Sequence, residues 1–137
     1  MLNEKQNEKM LQKLEQLLVT ADAYFFDVVD SLDYKMFQTK EHLRAVPPAE
    51  VFNARAAQWG GEGQTCWFRG RYQPKPELAG LPLFVRPNLD GYEAMLWING
   101  KPAGTFATKI VVTRHGNHYC DLITQSADPE ESLDIAI

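Results

Sequence analysis

His115 and His118 stand close together, with Cys120 and Asp121 just behind them, and imidazole, thiolate and carboxylate are the donors of a zinc site. On a strand, side chains three positions apart point to opposite faces, so only a turn or a helix would bring both imidazoles onto one ion. No second pair of ligands stands elsewhere in the chain, and the run reads as a turn with incidental histidines. The sparse serines and three histidines assemble no Ser/His/Asp or Cys/His nucleophilic set. Gly60-Gly61-Glu62-Gly63 is rich in glycine, but it precedes a strand pattern and so lacks the helix N-terminus that binds phosphate. The residues therefore assign no catalytic group and no metal ligand.

Carbohydrate binding is the other chemistry that these residue types allow. In the run Thr65 to Tyr72, one face carries Thr65, Trp67, Arg69 and Arg71, and the other Cys66, Phe68, Gly70 and Tyr72. The second face is the apolar one and is expected to meet the core. Trp67 then shares its side with two arginines, and two readings stay open. Either the indole is covered by the N-terminal helices, with Arg69 and Arg71 solvated or paired, or it is a stacking platform for a sugar ring flanked by guanidinium donors. An exposed Trp59 would serve the same purpose, so the candidate sugar-binding residues are Trp59, Trp67 and Arg71. Glu93 is a misfit of another kind. It lies in Tyr92 to Ile98, a run apolar on both faces, and a carboxylate buried there needs a partner. Arg69 is the expected partner, within the roughly 4 Å of an ion pair. No second carboxylate at a suitable spacing accompanies Glu93, so a structural pair is favoured over a catalytic acid.

The elements that must hold these residues are mostly strands. Thr65 to Tyr72 is bounded by glycines before it and by Pro74 and Pro76 after it; Leu81 to Val85 is a second, short strand. Tyr92 to Ile98 is a third, and it meets Asn99-Gly100 and turns back as Lys101 to Phe106. Asn-Gly favours a type I′ turn, in which both central residues need positive φ. Ile110 to Thr113 and Tyr119 to Ile123 read as a further hairpin around His115-Gly116-Asn117. Asp128 to Glu131 is a turn, and Ser132 to Ile137 alternates with Leu133, Ile135 and Ile137 on one side. Together these predict an antiparallel β-sandwich.

One to three helices are expected in front of it. Met10, Leu11, Leu14, Leu17, Leu18, Ala21, Phe25, Val28, Val29 and Leu32 recur at helical spacing, as one long helix or as two broken near Thr20 to Asp22. Asn3 is the N-cap and Gln6 completes a capping box. Asp30-Ser31 caps a further helix, Leu32 to Leu43, with Met36 and Phe37 inward, and Pro47-Pro48 ends helical structure. The helical stripe packs either on its own domain or on something outside it. Ala49 to Gln58 reads as a linker or an irregular strand. The domains are accordingly 1–46, a helical lead-in, and 47–137, a β-sandwich.

Composition closes off other classes. The chain has 137 residues, 45% of them hydrophobic and 23% charged, which suits one globular domain. A chain of this size buries roughly two thirds of its unfolded surface. The net charge of −4 and scattered basic residues argue against nucleic acid and anionic membranes. No run reaches the roughly 18 apolar residues of a membrane span. Charge fills the N-terminus where a signal peptide needs its apolar core, so Cys66 and Cys120 are read as reduced thiols in a cytoplasmic setting. A strand at the last residue reads as a sandwich incomplete at its C-terminus, cut from a longer chain.

The ordered set Trp59-Gly60-Gly61, Trp67-Phe68-Arg69, Glu93-Ala94 and Asn99-Gly100-Lys101-Pro102, with "EESLDIAI" later, resembles the N-terminal non-catalytic region of bacterial and fungal α-mannosidases of glycoside hydrolase family thirty-eight. The resemblance spans about residues 45 to 137, and the helices match only in type. It implies a galactose-binding-domain-like jelly roll attached to a catalytic domain that hydrolyses terminal α-mannosides. In such enzymes a divalent metal, usually zinc, is held by Asp and His residues of the catalytic domain, where an aspartate is the nucleophile of a retaining double displacement. None of those motifs falls on this sequence, so no cofactor is expected in the chain itself. The matching residues, Arg69, Glu93, Asn99 and Gly100 among them, take architectural roles: Trp67 and Trp97 fill the sandwich and Arg69 ties strands together. The implied partners are the catalytic domain and, for an oligomer, further copies of the chain.

Overall fold

The computed structural model describes residues 3–54, 58–87, 93–107 and 120–137, and only the backbone for 22–25. It is mainly antiparallel β-sheet with one N-terminal helix, in two compact units, Met1–Ser31 and Leu32–Ile137.

The first unit contains α1, Glu4–Phe25. Its start follows from the sequence: Asn3 Oδ1 accepts from the Gln6 backbone N–H at 2.9 Å, and Gln6 Oε1 accepts from the Asn3 N–H at 2.9 Å. Two donors that a helix leaves open at its N-terminus are thereby satisfied. α1 passes unbroken through Thr20 to Asp22, where the Thr20 hydroxyl donates to the Gln16 carbonyl. It stops at Phe25, and Phe26 is extended at φ −139°, ψ 130°. Val28 and Val29 follow, and β-branched side chains favour an extended backbone. The helical pattern therefore runs on to Leu32 in the sequence but not in the fold.

Among its described residues the second unit is two sheets. Five strands, β1 (Lys35–Thr39), β2 (Thr65–Tyr72), β4 (Ala94–Ile98), β5 (Lys101–Phe106) and β7 (Leu133–Ala136), lie in the order β1-β2-β7-β4-β5. The other two, β3 (Leu83–Val85) and β6 (Asp121–Thr124), form a separate pair. Among the described residues every pairing is antiparallel. The last strand in the chain is thus the middle strand of the larger sheet, and Ile137 extends its ladder by exchanging two 2.8 Å backbone hydrogen bonds with Phe68.

The expected helix Leu32 to Leu43 is overturned: β1 occupies its centre and pairs along its whole length with β2. The residues read as one inward stripe are distributed to both faces of the sheet. Leu32 packs with Leu96, Phe106 and Ile135, whereas Phe37 and Leu43 pack with Trp67 and Trp97. Alternation, Met36 opposite Phe68 and Phe37 opposite Trp67, buries both sets at once, which a single helical stripe cannot do. The compact unit that contains the sheets runs from Leu32 to Ile137. Ala49–Val51 is one turn of 3₁₀ helix, and Asn53 makes an isolated bridge to Met36.

The other strands follow the pattern of the sequence. β2 and β5 occupy the expected residues, β3 is the last three residues of Leu81 to Val85, and β4 begins at Ala94. Asn99 and Gly100 both have positive φ, 50° and 74°, as a type I′ turn requires. At Asp128 to Glu131 the Glu131 N–H donates to the Asp128 carbonyl at 3.0 Å. Ile110 to Thr113, the histidine turn and Tyr119 lie outside the described residues, as does Tyr92; β6 takes β3 as its described partner.

One face of the large sheet carries Leu96, Phe106, Leu133 and Ile135, covered by Val85 of β3 and Ile123 of β6. Leu96 and Phe106 are completely enclosed, and each such side chain contributes about 1.5–3 kcal/mol of transfer free energy. The opposite face carries Trp67, Trp97 and Ala136, covered by Leu43, Val46, Val51 and Phe52. Both faces of β2 are therefore covered.

Candidate functional site

The polar centre of the covered faces is Arg69. Its Nε donates to Asp134 Oδ1 at 2.9 Å, its Nη2 to Asp134 Oδ2, and its Nη1 to the Pro47 carbonyl at 3.0 Å. The guanidinium also lies 5.7 Å from the centroid of the Phe52 ring. A planar fork matched to a carboxylate is the geometry that arginine alone provides. Strand β2, strand β7 and the segment that covers the sheet thus meet at one side chain. The hydrogen bonds from Arg69 hold the Asp134 carboxyl below its ordinary value, against a smaller opposing effect of burial. The same contact raises Arg69, which stays a cation.

The expected pairing of Arg69 with Glu93 is corrected by this arrangement. Glu93 is exposed, immediately before β4, and the carboxylate that Arg69 meets belongs to β7. The apolar pattern around Glu93 fits a strand buried on both faces, but β4 starts one residue later, at Ala94, and no burial of Glu93 demands a partner. Asn99 Oδ1 accepts from the Asp134 N–H at 2.9 Å, and the Asn99 N–H donates to the Asp134 carbonyl at 2.8 Å.

The three candidate sugar-binding residues occupy different surroundings. Trp67 is 6% exposed, and its ring centroid lies 6.0 Å from that of Trp97. Its cover is the segment around Phe52. Arg71 is exposed on the same side of β2 as Trp67, because alternate residues of a strand share a face. Trp59 is half-buried with its ring edge-on to Phe68, centroids 4.9 Å apart, which puts it on the other side of that strand. Trp59 and Arg71 therefore do not converge on one ligand.

Trp59 has neighbours that the sequence reading missed. Tyr34 also meets Phe68 edge-on, at 5.5 Å, so two half-buried aromatic rings flank one buried ring. Beside them Gln38 Nε2 donates to Gln64 Oε1, and Gln38 Oε1 accepts from the Gly60 N–H at 3.3 Å. The Cys66 thiol points to the same Gln38 Oε1 at 3.6 Å. Burial pushes that thiol upward, partly offset by its hydrogen bond with the Gly60 backbone, so Cys66 is disfavoured as a thiolate nucleophile. Gly60 and Gly61 have φ of 92° and 136°, so the glycine run serves a turn. Tyr34 and Gln38 escaped notice because a helix over Leu32 to Leu43 would have carried them away from Phe68; the alternation Tyr34, Met36, Gln38 was the signal that would have found them.

Among the described residues no group of three or more His, Cys, Asp or Glu side chains stands close enough together to hold a metal ion. His115 and His118 lie outside those residues. Neither Cys66 nor Cys120 forms a disulfide. Among the described residues no helix is long and apolar enough to cross a membrane. Comparison with family models, with curated proteins and with solved structures finds no match.

Proposed function

We propose that the chain is a non-catalytic accessory β-sandwich, of the galactose-binding-like jelly-roll class, serving an α-mannosidase that hydrolyses terminal α-mannosides. Its work there is architectural: it supports and docks a catalytic domain and provides contacts between copies. The observation that carries this reading is the Arg69–Asp134–Pro47 junction, where the most conspicuous charged group is used to fasten the fold together. Asn99 and Gly100, two further residues of the resemblance, are spent on a turn. The divalent metal of such an enzyme, zinc, would belong to the catalytic domain, and the unbridged cysteines accord with a cytoplasmic enzyme. The reading favours no nucleic-acid or membrane partner. Its test is the coding DNA beyond the codon for Ile137. A frame that continues into a region carrying the Asp and His ligands of a mannosidase is the expected result; a stop codon there, with no such region encoded beside it, overturns the proposal.

Trp59 favours a second reading, a carbohydrate-binding module. A half-buried indole next to Tyr34 and the Gln38–Gln64 amides has the composition of a sugar-stacking surface. Calorimetric titration with α-mannosides and galactosides separates the two. The accessory reading expects no heat of binding, whereas affinity lost in Trp59→Ala establishes the module.

A further inference from the structure

We propose that α1 is a self-association element that pairs in parallel with α1 of a second copy of this chain. Met10, Leu11, Leu14, Leu17 and Leu18 are between 51% and 69% exposed on this helix. Asn7, Met10, Leu14, Leu17 and Ala21 follow one another at alternating steps of three and four residues, the a and d positions of a coiled-coil seam. Leu11 and Leu18 stand beside that seam and widen the apolar strip.

Two features select a second copy as the occupant. The first is Asn7, the polar residue at an a position. A single asparagine there fixes register by hydrogen-bonding to its counterpart across a parallel pair, and it costs stability against any apolar surface that offers it no amide. The second is area. Each exposed aliphatic side chain of this size offers on the order of 100 Å² to a partner. Two strips of five such side chains, with the stems of Lys13 and Gln6 alongside, then bury roughly 1,000–1,200 Å², the lower limit of a specific interface. The helix spans about 33 Å, three heptads, which is short for an isolated coiled coil. The capping box fixes its first turn independently of any partner. The pairing does not rest on the mannosidase reading, and either can fail without the other.

The test is the solution mass of the full chain by light scattering over a concentration series, for wild type, for Leu14→Lys with Leu17→Lys, and for Asn7→Leu. Lysine keeps helix propensity, so the double variant retains α1 and removes only the seam. Wild type at twice the mass of one chain, a double variant at the mass of one, and unchanged near-UV circular dichroism from the buried tryptophans are the expected results. Asn7→Leu is expected to tighten association at least tenfold or to raise the stoichiometry. A monomeric wild type overturns the proposal, whether or not it sediments with lipid vesicles. A double variant that stays dimeric overturns it too, by placing the interface elsewhere, and an unaltered Asn7→Leu overturns the register.

Discussion

The two faces of the five-stranded sheet are built on different principles. One is mainly aliphatic: Leu96, Phe106, Leu133 and Ile135 meet the two-stranded sheet, and the Asp121 carboxylate of β6 lies against Gly104 of β5 beside them. The other mixes Trp67, Trp97 and Phe52 with a half-buried ion pair. Burial of aliphatic surface is non-directional and tolerates exchange of one hydrocarbon for another. The Arg69–Asp134 fork is directional, so it specifies which strand lies beside β2 as well as holding it there. Both faces thus bury apolar side chains, and the second adds a directional contact that bears on strand order.

Substitutions that touch one face at a time sharpen this contrast. The largest effect is expected from Leu96→Ala on the aliphatic face, where a completely enclosed side chain is deleted; a loss of about 2–5 kcal/mol should appear as a lowered urea midpoint. Next comes Gly70→Ala. A Cβ there would sit 2.3 Å from the Asp33 carbonyl oxygen and 2.9 Å from Leu32 Cγ, and the backbone cannot yield cheaply. A cost of about 1–3 kcal/mol is expected from the same denaturation curve. An unchanged midpoint would show that the Leu32–Tyr34 segment gives way freely.

Asp134→Asn probes the polar face and is expected to cost about 1–3 kcal/mol at neutral pH, because it leaves a half-buried guanidinium without its counter-charge. The carboxyl has a lower affinity for protons when folded than when unfolded. Its contribution is therefore fully present above the unfolded-state value, near 3.8, and is lost as pH falls through the lower folded value. Wild type should show an acid limb in stability below about pH 4 that Asp134→Asn flattens; parallel limbs in the two proteins would remove the pair from the account. The smallest effect belongs to Glu93→Gln. A carboxylate that is exposed and has no ion-pair partner among the described residues should change stability by no more than about 0.5 kcal/mol. A loss comparable to that of Asp134→Asn would restore Glu93 as a partner of Arg69.

The legible parts of this chain are those whose cause is local. Asn3 and Gln6 lie one helical turn apart, and Asn99-Gly100 needs only its own backbone angles, so both could be named from the residues alone. The alternation of Leu133, Ile135 and Ile137 likewise identified one buried face. Other features depended on neighbours far along the chain. Lys35–Thr39 carries a pattern that fits a helix or a strand, and the edge of β2 decided between them. Arg69 needed an acid, and among the available carboxylates only the sheet order brings Asp134 beside β2. Trp59 can be named from its residue type alone, but its companions Tyr34 and Gln38 come with the strand that the helical period conceals.

By itself the sequence determined the helix start, the tight turn, the strands β2, β5 and β7, and the antiparallel character of the whole. Tertiary structure alone decided that the last strand lies in the middle of the sheet, that Trp67 is enclosed, and which acid meets Arg69. The physical reason is range: caps and turns are settled within four residues, whereas strand order is set by burial and pairing between segments that share no local signal.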